Sequence, residues 1–403
     1  MIRTQIRLQY ILLLFFPAVF LILQILIKTD YTYFFLSSHD PSYGYLFNGL
    51  NLAQGNMQLG LAAHPGTPLT CLVALNLSVI HLFSGGTGLA ASVLRNPEYY
   101  LNMISIEIVI FNAMALWLLG YRTYRKMNNL PLSLAFQVTP FITLQGIGLD
   151  SMVMLEPLLL FIEILILMIL AEYTFGRKES LSGRDLIFTA VLMSLGIATK
   201  IVFIPLLFLP FFVISGTRNK LIYVVTTVLS LAVFLIPIYR VFPSFLTWIR
   251  DLFIHSGVYG SGKTDILDIA KFKENIGSIV RANYAFTGCF LLVMATVVLI
   301  LVPRFRTRVD PAKRKMILGL ALVFLLNVLI VAKHYSSHYL IVSYNLVVFG
   351  FILVLSIGAG LFLTKREAFP AWPVKTAAIF IVGTGLVISL VYRIHFSPKL
   401  TNP

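Results

Sequence analysis

Charged residues are scarce in this chain, and that scarcity excludes an ordinary soluble globular protein. Only 12% of its 403 residues are Asp, Glu, Lys or Arg, whereas a soluble domain carries about 25%. Apolar residues make up 58%. They recur in runs of about 17 to 22 residues, the length that crosses the hydrocarbon core of a bilayer. The composition therefore predicts an all-α, polytopic integral membrane protein in contact with the lipid bilayer.

Acidic residues and cysteines are also few. There are 16 Asp and Glu against 31 Lys and Arg, which gives a net charge of +15. In a soluble protein this excess would suggest nucleic-acid binding. Here the basic residues gather in short loops between apolar runs, as in the positive-inside pattern, so we expect no nucleic-acid partner. Cys71 and Cys289 lie within apolar runs and give neither a disulfide framework nor a metal-ligand spacing.

The basic loops set the predicted topology. Apolar runs predict about 11 transmembrane helices, at 10–27, 99–120, 131–149, 153–171, 186–199, 201–215, 221–239, 286–302, 316–332, 339–363 and 374–391. The run 68–83 is ambiguous. If it crossed the membrane, the N-terminal arginines would lie opposite the other basic loops, so we assign it to the outer face. This predicts a multi-pass plasma-membrane protein with a retained first span, a cytoplasmic N terminus and an active site on the outer, periplasmic side.

Three regions follow from this topology. Residues 1–239 form a transmembrane module that includes a first outer loop at 28–98, residues 240–285 form a large outer loop, and residues 286–403 form C-terminal transmembrane helices. We expect juxtamembrane helices in both outer loops. The runs 186–199 and 201–215 are short for a bilayer, and the basic residues on either side of the pair favour a hairpin that turns at Lys200.

The first outer loop carries Asp40 directly before Pro41. An aspartate followed by proline is typical of a helix N-cap with proline at the first helical position, which predicts a helix over 41–54 that ends at Gly55. A cap does not exclude chemistry, because the helix start holds the carboxylate at a defined position. Asp40 is therefore either a cap alone or also a general base for an acceptor hydroxyl or amine.

Ionisable side chains gather on the same predicted face. Charge at membrane depth is costly, so each is a functional hypothesis. Asp150 and Glu156 bracket a short outer turn and are candidate catalytic carboxylates, although Glu156-Pro157 also fits the start of the next span. Lys200 is either a functional residue of this face or a lysine whose ammonium group extends from the apolar run to the membrane–water interface. The candidate substrate-binding residues are His64, Lys200, His255, Lys263, Lys333, His334, His338 and Tyr339.

Two further patterns are weaker. Residues 257–264, GVYGSGKT, match the P-loop pattern, but that motif needs a strand before it and a helix after it, whereas here a membrane span precedes it. We expect no ATP binding and instead a close-packed loop in which His255 and Lys263 contact a phosphate. His334 and His338 have a metal-ligand spacing without a nearby paired carboxylate, so a divalent metal is left open but not indicated. We expect no cofactor.

The order of these motifs resembles that of the GT-C membrane glycosyltransferases, a group that includes protein O-mannosyltransferases and lipid A aminoarabinose transferases. The matching motifs are Asp40, His64-Pro65, Leu155-Glu156-Pro157, Ala198-Thr199-Lys200, Trp248 through His255, and Lys333 with His338-Tyr339-Leu340. Departures are the single acidic residue at Asp40 where relatives often have two, and Glu156 where the second acidic site is usually Asp.

The resemblance implies an inverting glycosyltransferase that moves a sugar from a polyprenyl-phosphate donor to an unknown acceptor. Asp40 would deprotonate the acceptor. Cationic and histidine side chains would stabilise the leaving phosphate, namely Lys200, Lys333, His334 and His338. Two alternatives stay open. A transporter or flippase of a lipid-linked glycan predicts internal repeats and helices broken at mid-membrane. A glycan polymerase or ligase fits arginines in the large outer loop, such as Arg240, Arg250 and Arg281.

Overall fold

The structure is a computed structural model that describes residues 8–30, 42–61, 63–84, 88–176, 180–362 and Gly385. Within these residues all regular secondary structure is helical and no β-strand forms; one isolated β-bridge joins His255 and Thr264. The predicted all-α class is confirmed for this part of the chain. Asp40 lies outside the described residues, and so does the predicted span 374–391 except for Gly385.

Helices succeed one another with short connections. In the first half they are α1 (Phe15–Asp30), α2 (Ser42–Ala53), α3 (Thr67–Ser84), α4 (Leu89–Arg95), α5 (Pro97–Met127), α6 (Leu130–Phe136), α7 (Leu144–Leu149), α8 (Leu155–Phe175) and α9 (Gly183–Thr199). In the second half they are α10 (Leu209–Val213), α11 (Thr217–Phe234), α12 (Phe242–Ile254), α13 (Ile269–Ala282), α14 (Tyr284–Leu301), α15 (Pro303–Arg306), α16 (Pro311–Lys333), α17 (Ile341–Asn345) and α18 (Val347–Phe362). Turns of 3-10 helix cover Thr139–Phe141, Ile201–Phe208, Ile236–Val241, Val258–Gly260 and Ser337–Leu340.

Several of these helices are long and apolar enough to cross a membrane. Among the described residues there are 5 such spans: Leu8–Lys28, Pro97–Met127, Leu155–Phe175, Tyr284–Leu301 and Pro311–Lys333. Two bent helix pairs raise the number to 7, with bends of 68° between Thr217–Phe234 and Ile236–Ile254 and of 42° between Ser337–Asn345 and Val347–Leu361. These helices are consistent with a multi-pass membrane protein. The predicted count of about 11 is not confirmed.

Prolines explain why some predicted spans are absent as single helices. The predicted span 131–149 is divided into α6, a 3-10 turn at Pro140 and α7, and the predicted span 201–215 is a 3-10 helix through Pro205 followed by α10. Proline has no backbone N–H to donate and its ring crowds the preceding turn, so a regular α-helix stops there. Apolar length alone therefore overestimates the number of regular spans.

The helix α8 is the centre of the fold. It contacts α5, α9, α16 and α17. In its most apolar stretch of 18 residues, 78% of the stretch is buried inside the protein, compared with 28% for α14. A helix that is apolar on nearly every face is stable in the interior rather than at a surface. Residues at the N terminus of α8 are therefore held by a largely buried helix.

The helices of the first outer loop pack closely on each other. The predicted helix 41–54 is confirmed as α2, and Gly55 follows it with a left-handed backbone (φ 76°). A Cβ on Gly49 would lie 2.3 Å from Val73 Cγ1, so the two helices approach at van der Waals distance only because this residue is glycine. The ambiguous run 68–83 is the short apolar helix α3; its assignment to the outer face stays a prediction.

The chain reverses at Lys200. Helix α9 ends at Thr199, and Lys200 has an extended backbone (φ −152°, ψ 131°). Phe203 then returns onto the end of α9, where a Cβ on Gly196 would lie 2.3 Å from the phenyl ring. The predicted turn at this residue is confirmed. It directs the lysine side chain away from both segments of the hairpin and towards α8.

Candidate active site

A buried ion pair between Glu156 and Lys200 lies at the centre of the candidate site. The side chains are 0% and 1% exposed, respectively. The Lys200 ammonium donates a hydrogen bond to Glu156 Oε1, whereas Glu156 Oε2 has no hydrogen-bond partner among the described residues. Glu156 lies in the first turn of α8, where the helix dipole favours a carboxylate. Buried ion pairs contribute little net stability because of their desolvation cost, so this pair points to function.

His64 lies in the loop between α2 and α3, next to this pair. Thr67 Oγ1 donates a long hydrogen bond of 3.5 Å to the Ala198 carbonyl, which joins the His-Pro element to the turn before Lys200. The His64 side chain is buried, and neither ring nitrogen has a hydrogen-bond partner among the described residues. Burial, with the nearby charges of Lys200 and His338, holds the pKa of His64 well below its ordinary value. The imidazole is therefore neutral at physiological pH.

Aromatic rings enclose His64 on several sides. The imidazole centroid lies 4.8 Å from the Trp248 ring, 5.5 Å from the Tyr339 ring and 6.1 Å from the Tyr259 ring. Lys200 Nζ lies 5.0 Å from the centroid of the Tyr339 ring, within the range of a cation–π contact. Tyr339 thus contacts both the cation and the histidine.

His338 joins the cluster from the 3-10 turn that precedes α17. Its ring centroid lies 4.6 Å from that of Tyr339, and its Nδ1 is 2.9 Å from Ser336 Oγ. Its charge contributes to the lowered pKa of His64. The predicted residues His338 and Tyr339 therefore lie with His64 and Lys200 in one cluster.

Asp150 is the second buried carboxyl in this region, at the end of α7. It is 4% exposed. Burial raises the pKa of Asp150 well above its ordinary value, and the charge of Glu156 raises it further. The protonated form is therefore favoured, and a protonated carboxyl donates a hydrogen bond instead of accepting a proton. Of these two carboxyls, Glu156 is better suited to act as a base.

Lys333 and His334 bind backbone carbonyls of the segment 240–285, the predicted large outer loop. Lys333 Nζ donates to the carbonyls of Leu252 and Phe253, at 2.7 and 2.6 Å. The two ring nitrogens of His334 lie 2.7 Å from the carbonyls of Leu252 and Gly257. The carbonyls of Leu252 and Phe253 lie in the last turn of helix α12, where cationic donors are favoured, and that of Gly257 lies in the loop after it. The contacts hold the segment after α12 in place; phosphate binding by Lys333 and His334 stays a prediction.

His255 and Lys263 lie on the loop itself. His255 Nδ1 is 3.3 Å from the Asp251 carbonyl, and the Lys263 carbonyl accepts a hydrogen bond from the Ser256 amide at 3.3 Å. Both described contacts are internal to the loop and to α12. Helix α12 precedes the GVYGSGKT segment and the next α-helix begins at Ile269, so the strand–loop–helix context of a P-loop is not formed in this region.

Sequence reasoning leaves one residue of the cluster unassigned. Tyr259 lies within the GVYG segment, has a left-handed backbone (φ 58°) and places its ring against His64. Trp248 enters the sequence argument only through the stretch that resembles GT-C enzymes. The glycines around Tyr259 indicate an unusual turn, but nothing local to the sequence indicates which partner the ring meets.

The described residues contain no group of three or more His, Cys, Asp or Glu side chains that could hold a metal ion. Comparison with known protein families, curated proteins and solved structures gave no match to this chain. The motifs and the geometry of the cluster are therefore the features that indicate function. The described residues thus define the class of the molecule, an all-helical protein with apolar helices able to span a membrane. It also contains a buried cluster of ionisable and aromatic residues.

The contacts of Lys333 predict a measurable local effect. Substitution of Lys333 by Met should raise amide hydrogen exchange across residues 252–260 by about tenfold, because charge-assisted hydrogen bonds to two carbonyls are lost. Hydrogen-exchange mass spectrometry of the purified full chain measures this. Lys263→Met is the matched control, since Lys263 is exposed on the same loop. Unchanged exchange in Lys333→Met would show that the loop is held by other contacts.

Proposed function

We propose that this chain is an inverting glycosyltransferase that moves a sugar from a polyprenyl-phosphate donor to an acceptor on the outer face of the membrane. One observation supports it most directly. Residues chosen from separate sequence motifs lie in a single buried cluster: His64, Glu156, Lys200, His338 and Tyr339. The cluster combines a cation for an anionic leaving group, a carboxylate and a neutral imidazole.

The proposed reaction is a direct displacement. The acceptor oxygen or nitrogen forms a bond to the anomeric carbon, and the bond from that carbon to the phosphate oxygen breaks. The acceptor proton passes to a carboxylate, for which Asp40 is the first candidate and Glu156 the second, because Glu156 Oε2 has no hydrogen-bond partner among the described residues. The phosphate leaves already ionised, so no general acid is needed.

Lys200 would stabilise the charge that grows on the leaving phosphate. A fixed cation in a site that excludes water acts strongly on developing charge, because little solvent screens it. In the structure this ammonium is paired with Glu156 Oε1. In the proposed mechanism it stays near that carboxylate and gives one of its three N–H donors to the phosphate.

A transporter or flippase of a lipid-linked glycan is the second candidate, and one observation favours it. The helix pair Ser337–Asn345 and Val347–Leu361, whose first helix contains the cluster residue His338, is bent by 42°, and a second pair is bent by 68°. Broken helices beside a buried polar site are typical of transporters. A polymerase or ligase is a further alternative, since Arg240, Arg250 and Arg281 are exposed in the large outer loop.

Mass-spectrometric profiles of envelope glycans and lipid-linked sugars test the proposal, with intact cells compared against cells that lack the protein. A transferase predicts that one sugar disappears from its acceptor while the lipid-linked donor accumulates. Proteoliposomes with purified protein then separate the two candidates. A transferase releases free polyprenyl phosphate when acceptor is added, whereas a transporter leaves the donor intact and changes its leaflet. Unchanged donor and acceptor pools in the deletion strain would overturn the proposal.

A further inference from the structure

We propose that His64, Trp248 and Tyr259 form a subsite for the pyranose or furanose ring of the donor, distinct from the phosphate end at Lys200. This inference rests on the proposed function and adds to it a division of the site into a sugar end and a phosphate end. It assigns sugar binding to Trp248 and Tyr259, which come from the large outer loop and bear no charge.

The hydrogen-bonding capacity of the subsite suits hydroxyl groups. A neutral imidazole offers one donor and one acceptor, and a sugar hydroxyl offers the same pair in return. An ionised phosphate has acceptors only, so it would leave the acceptor nitrogen of His64 without a partner. Both His64 nitrogens and Trp248 Nε1 are buried without a hydrogen-bond partner among the described residues. Buried polar groups normally have partners, so these three atoms indicate a bound ligand.

The rings supply the apolar part of the subsite. The rings of Trp248 and Tyr259 both lie against His64, at centroid distances of 4.8 and 6.1 Å. The C–H faces of a sugar ring are apolar, and large aromatic side chains bury such a face while their polar edges reach its hydroxyls. Tyr339 completes this wall at 5.5 Å from the imidazole.

The two ends adjoin the same aromatic ring, an arrangement that suits a sugar attached directly to phosphate. The Tyr339 ring centroid lies 5.5 Å from that of the His64 imidazole and 5.0 Å from Lys200 Nζ. The cation and the neutral imidazole therefore both border Tyr339. A glycosyl phosphate has the same order of parts, with an anionic group one bond from a hydroxylated ring.

The backbone holds these side chains in place at some conformational cost. His64 and Tyr259 both have left-handed backbones, with φ of 54° and 58°. Such conformations are uncommon outside glycine and gather at functional sites. Gly260 lies so close to α12 that a Cβ would be 2.8 Å from the Asp251 carbonyl carbon. The loop bearing Tyr259 is therefore seated on the helix that bears Trp248.

Binding by the purified full chain in nanodiscs tests the subsite. The probes are undecaprenyl phosphate and undecaprenyl phosphate linked to glucose, mannose or arabinose, with affinities measured by native mass spectrometry. We expect the wild type to bind one sugar-linked probe at least about tenfold more tightly than undecaprenyl phosphate. Trp248→Leu, Tyr259→Leu and His64→Asn should remove that preference and leave undecaprenyl phosphate binding unchanged. Asparagine is chosen because it tolerates the left-handed backbone.

Tyr239→Leu is the matched control, because Tyr239 is also an exposed tyrosine of this region and its ring contact is with Arg240. It should keep the sugar preference. If the wild type prefers a sugar-linked probe and all three variants keep that preference, the subsite is wrong while the proposed function stands. If the variants also lose undecaprenyl phosphate, these residues do not discriminate the sugar, and the subsite is again wrong. If the wild type binds no probe, or binds all alike, both proposals fail.

Discussion

Substitution of Lys200 by Met should abolish sugar transfer and lower the free energy of unfolding by about 3–5 kcal/mol, because it leaves the Glu156 carboxylate buried without its cation. Both side chains are almost completely buried, so water does not replace the lost partner. Thermal unfolding of the purified chain in detergent measures the loss of stability. Transfer in proteoliposomes, with the donor identified by envelope profiling, measures the loss of activity.

The double variant Glu156→Leu with Lys200→Met separates stability from chemistry. Replacing a buried ion pair by apolar residues of similar volume is often neutral or stabilising, so the double variant should unfold near the wild-type temperature. It should still be inactive, because both the leaving-group cation and the carboxylate are gone. If the double variant transfers sugar at the wild-type rate, the pair is structural and the proposed site is wrong.

A second ion pair provides the matched control for this experiment. Arg122 Nε lies 2.9 Å from Glu172 Oε1, and the arginine is 39% exposed while the glutamate is 2% exposed. Arg122→Met removes one partner of a partly exposed pair at the opposite end of α8 from Glu156. It should cost less stability than Lys200→Met, because water reaches this pair. Transfer activity should be retained.

Local signals in the sequence were sufficient for several features. The extent of α2 follows from proline at its start and glycine after its end, and the turn at Lys200 follows from short apolar runs between basic loops. Both are confirmed. For His64 and Tyr339 the sequence predicted only that both residues lie on the same face of the membrane. It did not predict that their rings are in contact. A charge pattern can place residues on one side of a bilayer, but it does not fix distances between them.

The parts of the site that the sequence did not predict depend on contacts between residues that are far apart in the sequence. Lys333 and His334 look like phosphate donors in the sequence, yet their described partners are carbonyls about 80 residues earlier in the chain. Tyr259 contacts His64 across nearly 200 residues of sequence. Such pairings depend on how α12, α16 and the first loop pack together, and no local periodicity encodes them. Among the described residues, prolines interrupt the apolar runs 131–149 and 201–215, so regular helices there are shorter than the runs.

Substitution of Asp40 by Asn should reduce transfer by about 10²–10⁴-fold if this residue is the general base. Asparagine caps a helix about as well as aspartate, so the stability of α2 should change little.

Helix α2 is anchored independently of the cap. Asn48 accepts a hydrogen bond from the Gly60 amide at 3.0 Å, and Tyr43 donates one to Glu98. Burial and the bond to Glu98 raise the pKa of Tyr43 to about 12, so this donor stays protonated.

Asp268→Asn is the control for Asp40→Asn, because Asp268 caps α13 and accepts a hydrogen bond from the Lys271 amide at 3.0 Å. The same chemical change at a cap outside the cluster should leave transfer intact. Full activity in Asp40→Asn would make Asp40 a cap only. Proton transfer would then fall to Glu156 or Asp150. Of these, Glu156 is favoured, because burial raises the pKa of Asp150 well above its ordinary value and one Glu156 oxygen has no hydrogen-bond partner among the described residues.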